Sequence, residues 1–204
     1  MNRVRVKICG ITSAADARLA EAHGADAIGL IFAEGSSRQL TPDTAVPVAA
    51  AAGPFLQRIG VFRNQEAGFV LETARRLRLD AVQLHGDEDA EFVAYVRESF
   101  RVLKAVAFAP GLTPAVFRRW PADGFLLDAP APGSGKTFDW TEAADFRSVP
   151  GLVVAGGLNP DNAAEAVRFF RPYGVDTASG VETAPGKKSA ELIRGFVSAV
   201  GEAG

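Results

Sequence analysis

This chain of 204 residues contains a single cysteine, so no disulfide can form within it and a reducing compartment is the simpler expectation. It also lacks an excess of basic residues: the formal net charge of -2 gives no attractive field for nucleic acid or an anionic membrane. Its most apolar stretch, residues 45–52, is far too short for a membrane span. Residues 1–5 lead directly into a strand-like run without a secretory signal pattern. We therefore expect a cytoplasmic protein with no nucleic-acid or membrane partner.

Short β-branched runs alternate with segments of helical period along the whole chain. The predicted strands are Arg5–Cys9, Ala27–Phe32, Arg58–Phe62, Ala81–His85, Val102–Phe108, Gly124–Asp128, Leu152–Gly156 and Val175–Ala178. The clearest predicted helices are Ser13–His23, Gln65–Arg78, Glu88–Phe100, Pro160–Arg171 and Ser189–Val200, with weaker ones at Leu112–Trp120 and Phe138–Arg147. Helix N-caps are predicted at Ser13, Asn64, Asp87, Thr113 and Asn159, and Gly24 stands where a C-terminal glycine belongs.

This alternation predicts parallel strands joined by right-handed crossovers, and eight such strands close naturally into a barrel. The fold class is therefore α/β, as a compact (β/α)8 TIM barrel. No linker or composition shift divides the chain, so residues 1–204 are expected to form a single domain. An open doubly wound sheet is the alternative, but the turn Ile8–Thr12 lacks the glycine fingerprint of a dinucleotide-binding fold.

Two candidate reactive groups, the Cys9 thiol and the Asp128 carboxylate, stand at the ends of predicted strands. The active sites of such barrels lie at the carboxyl ends of the strands, so these groups could act as base and acid across one pocket. A lone cysteine is more often a small buried apolar residue, and an aspartate after a strand is more often a turn residue. A Cys9 that acts as a base should have a lowered pKa, and Lys7 is placed to help because it shares a strand face with Cys9.

A phosphate site is predicted from two glycine-containing turns. Gly156 and Gly157 follow the seventh predicted strand, and Ser179 and Gly180 follow the eighth. The loops after strands seven and eight are where barrels commonly bind phosphate, through backbone amides and a helix N-terminus.

A second phosphate motif is suggested by Gly133–Thr137, which ends in the Gly-Lys-Thr of a P-loop. The full pattern requires a glycine where this chain has Pro130, and a long helix should follow. Proline removes a backbone donor, so binding of a nucleoside triphosphate here is not favoured.

Seven short motifs occur in the order seen in phosphoribosylanthranilate isomerases, and the chain resembles that family from residue 4 to about residue 194. These motifs are Lys7–Gly10, Gly24–Gly29, Gln83–Gly86, Leu126–Asp128, Phe138–Trp140, Gly156–Leu158 and Ser179–Glu182. The resemblance implies an enzyme of tryptophan biosynthesis that converts N-(5-phosphoribosyl)anthranilate into 1-(2-carboxyphenylamino)-1-deoxyribulose 5-phosphate, an Amadori rearrangement. It also implies a small phosphorylated substrate, no cofactor and no metal, and a monomer or homodimer.

The same resemblance implies roles for individual residues. Cys9 would be the general base and Asp128 the general acid. Arg38 would bind the anthranilate carboxylate and Asp176 would contact the substrate, although an exposed loop arginine and a capping aspartate are the structural alternatives. Roles for three further residues are expected from their positions and not from the resemblance. Lys7 either favours the charged forms of Cys9 and Asp128 or fills a polar layer of the barrel. His85 at the barrel mouth is expected to make a supporting hydrogen bond in the substrate site, and His23 is expected to cap a helix.

The chain departs from the family pattern in the loop of residues 34–40, at Gly133–Thr137, at Ala178 and at Ser189. Four alternatives stay open: a sugar-phosphate epimerase, the histidine-pathway isomerase with the same chemistry, a non-enzymatic metabolite sensor, and a P-loop nucleotide-binding protein. The histidine-pathway substrate carries two phosphates, and the end of the third predicted strand, Gly60–Asn64, offers no second glycine-rich loop.

Overall fold

The computed structural model describes residues 3–130 and 137–204. Eight parallel strands form a closed barrel in which every strand pairs with the next along the chain, and β8 pairs with β1. The barrel strands are β1 Arg5–Cys9, β2 Ala27–Ile31, β3 Gln57–Phe62, β4 Ala81–Leu84, β5 Arg101–Ala107, β6 Gly124–Asp128, β7 Leu152–Val154 and β8 Gly174–Thr177. The predicted (β/α)8 fold class is therefore confirmed, whereas the domain limits 1–204 stay a prediction.

Helices pack around the outside of the barrel. The α-helices are α1 Ala14–Ala22, α2 Pro42–Ala50, α3 Ala67–Arg76, α4 Ala90–Arg97, α5 Ala163–Phe170 and α6 Ala190–Ala203. The two segments predicted as weak helices are 3-10 helices, Pro114–Arg119 and Trp140–Ser148. A further short 3-10 helix, Ser179–Val181, follows β8. No helix among the described residues is long and apolar enough to cross a membrane.

One helix and several helix starts differ from the sequence predictions. Helix α2 was not predicted, although Thr41 begins it with a capping box and Pro42 occupies its first turn. The predicted caps Asn64, Asp87 and Asn159 are wrong, because the helices begin later, after Glu66, Asp89 and Asn162. The prediction at Ser13 is confirmed, since its side chain accepts a hydrogen bond from the backbone N–H of Asp16.

Side chains alternate between the outside and the inside of the barrel, as the strand period requires. Outward residues such as Ile8, Ile28 and Leu84 join the large apolar core between the sheet and the helices. Inside the barrel, a small apolar cluster of Ala105, Leu126 and Ala155 belongs to β5 through the end of β7. On β1 and β8, Lys7 and Asp176 form a buried ion pair.

A two-stranded antiparallel hairpin follows the barrel strands and was not predicted. It consists of β9 Glu182–Ala184 and β10 Lys187–Lys188, and it lies between the 3-10 helix after β8 and helix α6. The Thr12 hydroxyl donates to the carbonyl of Gly186 over 2.6 Å, which ties the hairpin turn to the loop after β1. The hairpin is thereby held at the carboxyl end of the barrel strands.

Candidate active site

A cavity of about 370 Å³ opens at the carboxyl ends of the strands. Eight of the ten residues that were predicted for the site line it, namely Cys9, Arg38, His85, Asp128, Gly156, Gly157, Asp176 and Ser179. Lys7, which is buried inside the barrel, and Gly180 are not among the lining residues. Residues brought from β1, β4, β6, β7 and β8 thus converge on one space, as the barrel topology requires.

Cys9 is the last residue of β1, and its thiol is buried beside β2. Its nearest neighbour there is Gly29, its partner in the strand register. A Cβ at Gly29 would lie 2.5 Å from the Cys9 Sγ, so the missing side chain makes the room that the thiol occupies. This neighbour was not identified from the sequence.

The expectation that the Cys9 pKa is lowered is wrong. Burial raises the pKa of the Cys9 thiol above its ordinary value, and Asp176 adds to that effect. The positive charges of Lys7 and Lys188 act in the opposite direction but do not outweigh burial. The sequence indicated the favourable charge at Lys7, but it did not indicate how deeply the thiol is buried.

Asp128 ends β6, and both of its carboxylate oxygens face defined neighbours. Oδ1 accepts a hydrogen bond from the backbone N–H of Ala129 over 2.7 Å. Oδ2 lies 3.2 Å from Nε2 of His85, although this contact does not have the geometry of a hydrogen bond. The amide nitrogen of Gln83 lies 3.0 Å from the other ring nitrogen, Nδ1. If that amide donates, the neutral imidazole carries its proton on Nε2, the atom that faces Asp128.

Lys7 and Asp176 form an ion pair inside the barrel, with Nζ and Oδ1 3.0 Å apart. Burial alone would lower the pKa of Lys7, but the charges of Asp176 and Cys9 outweigh it and raise that pKa, so the ammonium form is favoured. The pair forms a polar layer inside the barrel, which was one of the two roles expected for Lys7. Asp176 is the member of the pair that reaches the cavity, and it caps no helix.

Arg38 is not the exposed loop residue of the structural alternative, because its side chain is only 10% exposed. Its Nε and Nη2 donate to the two carboxylate oxygens of Glu182 over 2.8 and 2.6 Å. One edge of the guanidinium fork is therefore occupied by a partner that the sequence did not reveal. A guanidinium has five N–H donors, so the Nη1 side can still bind a second carboxylate.

The two glycine turns meet as predicted. Gly156 and Gly157 have φ angles of +87° and +68°, a left-handed conformation that favours glycine. A Cβ at Gly180 would collide with the carbonyl oxygen of Leu158, so glycine is needed where the loop after β8 crosses the loop after β7. Among the described residues, the backbone N–H groups of Gly157, Ser179 and Gly180 find no hydrogen-bond acceptor. They are donors available to an anion.

The remaining features that were considered for the site are the P-loop-like segment and a metal. The P-loop-like segment Gly133–Thr137 lies outside the described residues except for Thr137. Within the described ranges, no group of three or more His, Cys, Asp or Glu side chains is arranged to hold a metal ion. Glu182 and Lys188 reach the site from the unpredicted hairpin, and no local sequence signal links them to Arg38 and Cys9.

Comparison with known proteins identifies the family. Residues 6–199 match the family model described as N-(5'-phosphoribosyl)anthranilate (PRA) isomerase. A protein of that name from Geobacter sulfurreducens is 46% identical over 198 residues, which cover 95% of this chain and 97% of the relative.

Solved structures agree with the sequence comparison. The phosphoribosyl anthranilate isomerase of Thermus thermophilus has a TM-score of 0.92 at 41% identity, over 98% of this chain and 99% of that one. Another member was solved in complex with reduced 1-(o-carboxyphenylamino)-1-deoxyribulose 5-phosphate; it has a TM-score of 0.85 at 37% identity, over 97% of this chain and 98% of that one. This chain therefore belongs to the N-(5'-phosphoribosyl)anthranilate isomerase family.

Proposed function

We propose that the cavity performs the Amadori rearrangement of N-(5'-phosphoribosyl)anthranilate with Cys9 as general base and Asp128 as general acid. As a member of its family the chain is an isomerase of the aldose–ketose type in tryptophan biosynthesis. The observation that carries the proposed roles is the convergence of the Cys9 thiol, the Asp128 carboxylate and the two glycine turns on a single cavity. An acid and a base at opposite positions around the sugar are what this reaction requires.

The first step is opening of the ribose ring. Protonated Asp128 gives its proton to the ring oxygen while the bond from that oxygen to C1 breaks. The amine lone pair then forms the C1–N double bond of a Schiff base. Nε2 of His85 lies 3.2 Å from Oδ2 of Asp128, so a proton on that nitrogen would stabilise the resulting carboxylate electrostatically. This role differs from the substrate-binding hydrogen bond that was expected for His85, which stays a prediction.

The second step is removal of the C2 proton by the Cys9 thiolate. The electron pair of that C–H bond moves into a C1–C2 double bond, and the C1–N double bond becomes a single bond, which gives an enolamine. The enolamine tautomerises to the ketone product: the thiol returns its proton to C1, and the proton lost from the C2 hydroxyl restores protonated Asp128. Lys7 and Lys188 are the two cations that favour the thiolate against the effect of burial.

The free donors of Gly157, Ser179 and Gly180 would bind the substrate phosphate. Backbone N–H groups that point at one place form an anion site without any side-chain charge. A crystal soaked with inorganic phosphate should show density between the two turns. Density at Gly135–Thr137, with the two turns empty, would favour the P-loop alternative.

Arg38 would bind the anthranilate carboxylate with the N–H groups that Glu182 leaves free. Guanidinium and carboxylate match each other through two parallel hydrogen bonds, which makes this contact selective for substrates with a carboxylate. Asp176, next to the base, would accept a hydrogen bond from a ribose hydroxyl.

Of the two expected oligomeric states, we favour the homodimer. Phe55 and Tyr173 are 94% and 60% exposed, and both line a cavity of about 300 Å³ at the amino ends of the strands, together with Ile59, Leu103 and Val153. Exposed aromatic residues that lie close together on one surface are typical of an interface. In sedimentation velocity, Phe55→Glu should give a monomer, whereas Tyr95→Glu, a control at an exposed aromatic on α4, should sediment as the wild type does.

The cytoplasmic location expected from the sequence stays a prediction.

The proposed activity is tested with the purified wild-type chain and N-(5'-phosphoribosyl)anthranilate, by following the loss of substrate fluorescence. Turnover is expected, and it should fall by ~10² to 10⁴-fold in Asp128→Asn, with inorganic phosphate still bound. A wild-type chain that binds the substrate without turnover would instead be a sensor. Faster turnover of the doubly phosphorylated histidine-pathway substrate would assign the chain to that reaction.

A further inference from the structure

Three charged side chains are buried together beside the proposed base. Arg38 comes from the loop after β2, Glu182 from β9 and Lys188 from β10. Their side chains are 10%, 4% and 0% exposed. Burying charges costs free energy even when they are paired, and an apolar set of similar volume is often as stable. The cluster therefore needs an explanation other than the stability of the fold.

Lys188 is at the centre of this cluster. Its ammonium group lies 2.6 Å from the carbonyl oxygen of Cys9, 2.9 Å from that of Ala178 and 2.7 Å from Oε1 of Glu182. An ammonium group has three N–H donors, so each has a partner. These partners are the end of β1, the end of β8 and the hairpin, and a single side chain joins all three.

Glu182 connects Lys188 to Arg38. Its carboxylate accepts two hydrogen bonds from the guanidinium, one from Lys188 and one from the backbone N–H of Gly186. The Arg38 side chain also lies against Gly10, where an added Cβ would collide with its Cδ. The guanidinium is thus held in one plane directly over the turn that follows Cys9.

We infer that Lys188 and Glu182 are positioning residues: Lys188 holds Cys9 through its carbonyl oxygen, and Glu182 holds Arg38 so that its free N–H edge faces the cavity. The inference rests on the proposed roles of Cys9 and Arg38. In this arrangement one buried cluster fixes both the base Cys9 and the arginine that binds the carboxylate. The C2 atom of a substrate held by Arg38 is thereby placed against the thiol. Neither positioning residue touches the reacting atoms.

The cluster also sets the charge around the thiol. The groups that face Cys9 are Lys7 on β1, Arg38 after β2, Asp176 on β8 and Lys188 on β10, with His85 and Asp128 across the cavity. Loss of Lys188 removes one of the two cations that oppose the effect of burial on the thiol pKa. A nearby opposite charge is worth about 1 to 3 pKa units.

The experiment titrates the thiolate of Cys9 by its absorbance near 240 nm in the unliganded protein, with Cys9→Ala as the blank. Because the chain has one cysteine, the signal reports this residue alone. Lys188→Met should raise the midpoint by about 1 unit or more, which is at least ~10-fold less thiolate at a given pH. Lys187→Met is the matched control, since Lys187 is the exposed neighbour on the same strand, and it should leave the midpoint unchanged.

Steady-state kinetics of Glu182→Gln are the second test of the inference, and this test remains informative if Lys188→Met does not fold. KM should rise ~10-fold or more for the substrate with its carboxylate, with a smaller change in kcat, and a substrate without the carboxylate should show little change. An unchanged thiol midpoint in folded Lys188→Met, or equal changes for both substrates in Glu182→Gln, overturns the inference. The titration needs no turnover, so a wild-type chain without isomerase activity would refute the proposed function separately.

Discussion

Replacing Gly29 with alanine should disable the proposed base without a direct change to it. The new Cβ would lie 2.5 Å from the Cys9 Sγ and 3.0 Å from the Cys9 Cα. Non-bonded heavy atoms are normally about 3.5 to 4.0 Å apart, so the thiol must move by about 1 Å. The backbone of β1 leaves little freedom for that movement, because Cys9 and Gly29 are paired in the strand register.

The size of the effect follows from that displacement. A misplacement of about 1 Å costs ~10²-fold in rate, so kcat should fall by about that factor. Overpacking should also lower the free energy of unfolding by about 1 to 3 kcal/mol, which urea denaturation measures. Loss of substrate fluorescence gives kcat and KM, and KM should change less than kcat because neither Arg38 nor the glycine turns is affected.

Gly68→Ala is the matched control for this prediction. Gly68 is exposed on α3, and an added Cβ there meets no atom within 4 Å. The same substitution should leave kcat unchanged and should be neutral or stabilising by about 0.5 to 1 kcal/mol. Wild-type kcat in Gly29→Ala, together with a crystal structure in which Sγ has moved, would refute the argument that the position of this thiol determines the rate.

Three further predictions concern the site and a second buried ion pair, between Lys104 and Glu88. Arg38→Ala should lower kcat/KM for the substrate with its carboxylate by the equivalent of roughly 2 to 5 kcal/mol of transition-state binding. A similar loss for a substrate without the carboxylate would remove the proposed role. Lys104→Met leaves Glu88 buried without its ion-pair partner, which lies 3.0 Å away, and should lower the free energy of unfolding by about 3 to 5 kcal/mol in urea; a loss below 1 kcal/mol would contradict this. Gly180→Ala forces the loop away from Leu158 and should weaken phosphate binding in calorimetry, whereas unchanged affinity would place the phosphate elsewhere.

The barrel and most of its site could be predicted because they depend on local patterns. Strand runs such as Arg5–Cys9 and Gly124–Asp128 have the predicted limits, and the topology alone brings their carboxyl ends together. Helix α2 was missed because its alanine-rich sequence carries a proline, Pro47, inside the helix, which weakens the periodic signal.

What could not be predicted depends on contacts between distant parts of the chain. The pair of Arg38 and Glu182 joins residues 144 positions apart, and no local spacing indicates it. The pKa of Cys9 was predicted in the wrong direction for the same reason: Lys7 is a local neighbour, but burial of the thiol results from the whole barrel. The predicted cap at Asn64 failed because this residue instead has a φ angle of +61° and its side chain accepts from the backbone N–H of Asp87.

The central claim, that the Cys9 thiolate removes the C2 proton, is tested most directly by the turnover of Cys9→Ala on N-(5'-phosphoribosyl)anthranilate. The proposed mechanism predicts that kcat falls by at least ~10² to 10⁴-fold, while the variant stays folded and binds inorganic phosphate as the wild type does. Turnover near the wild-type rate would contradict the mechanism, even if the phosphate were found between the two glycine turns.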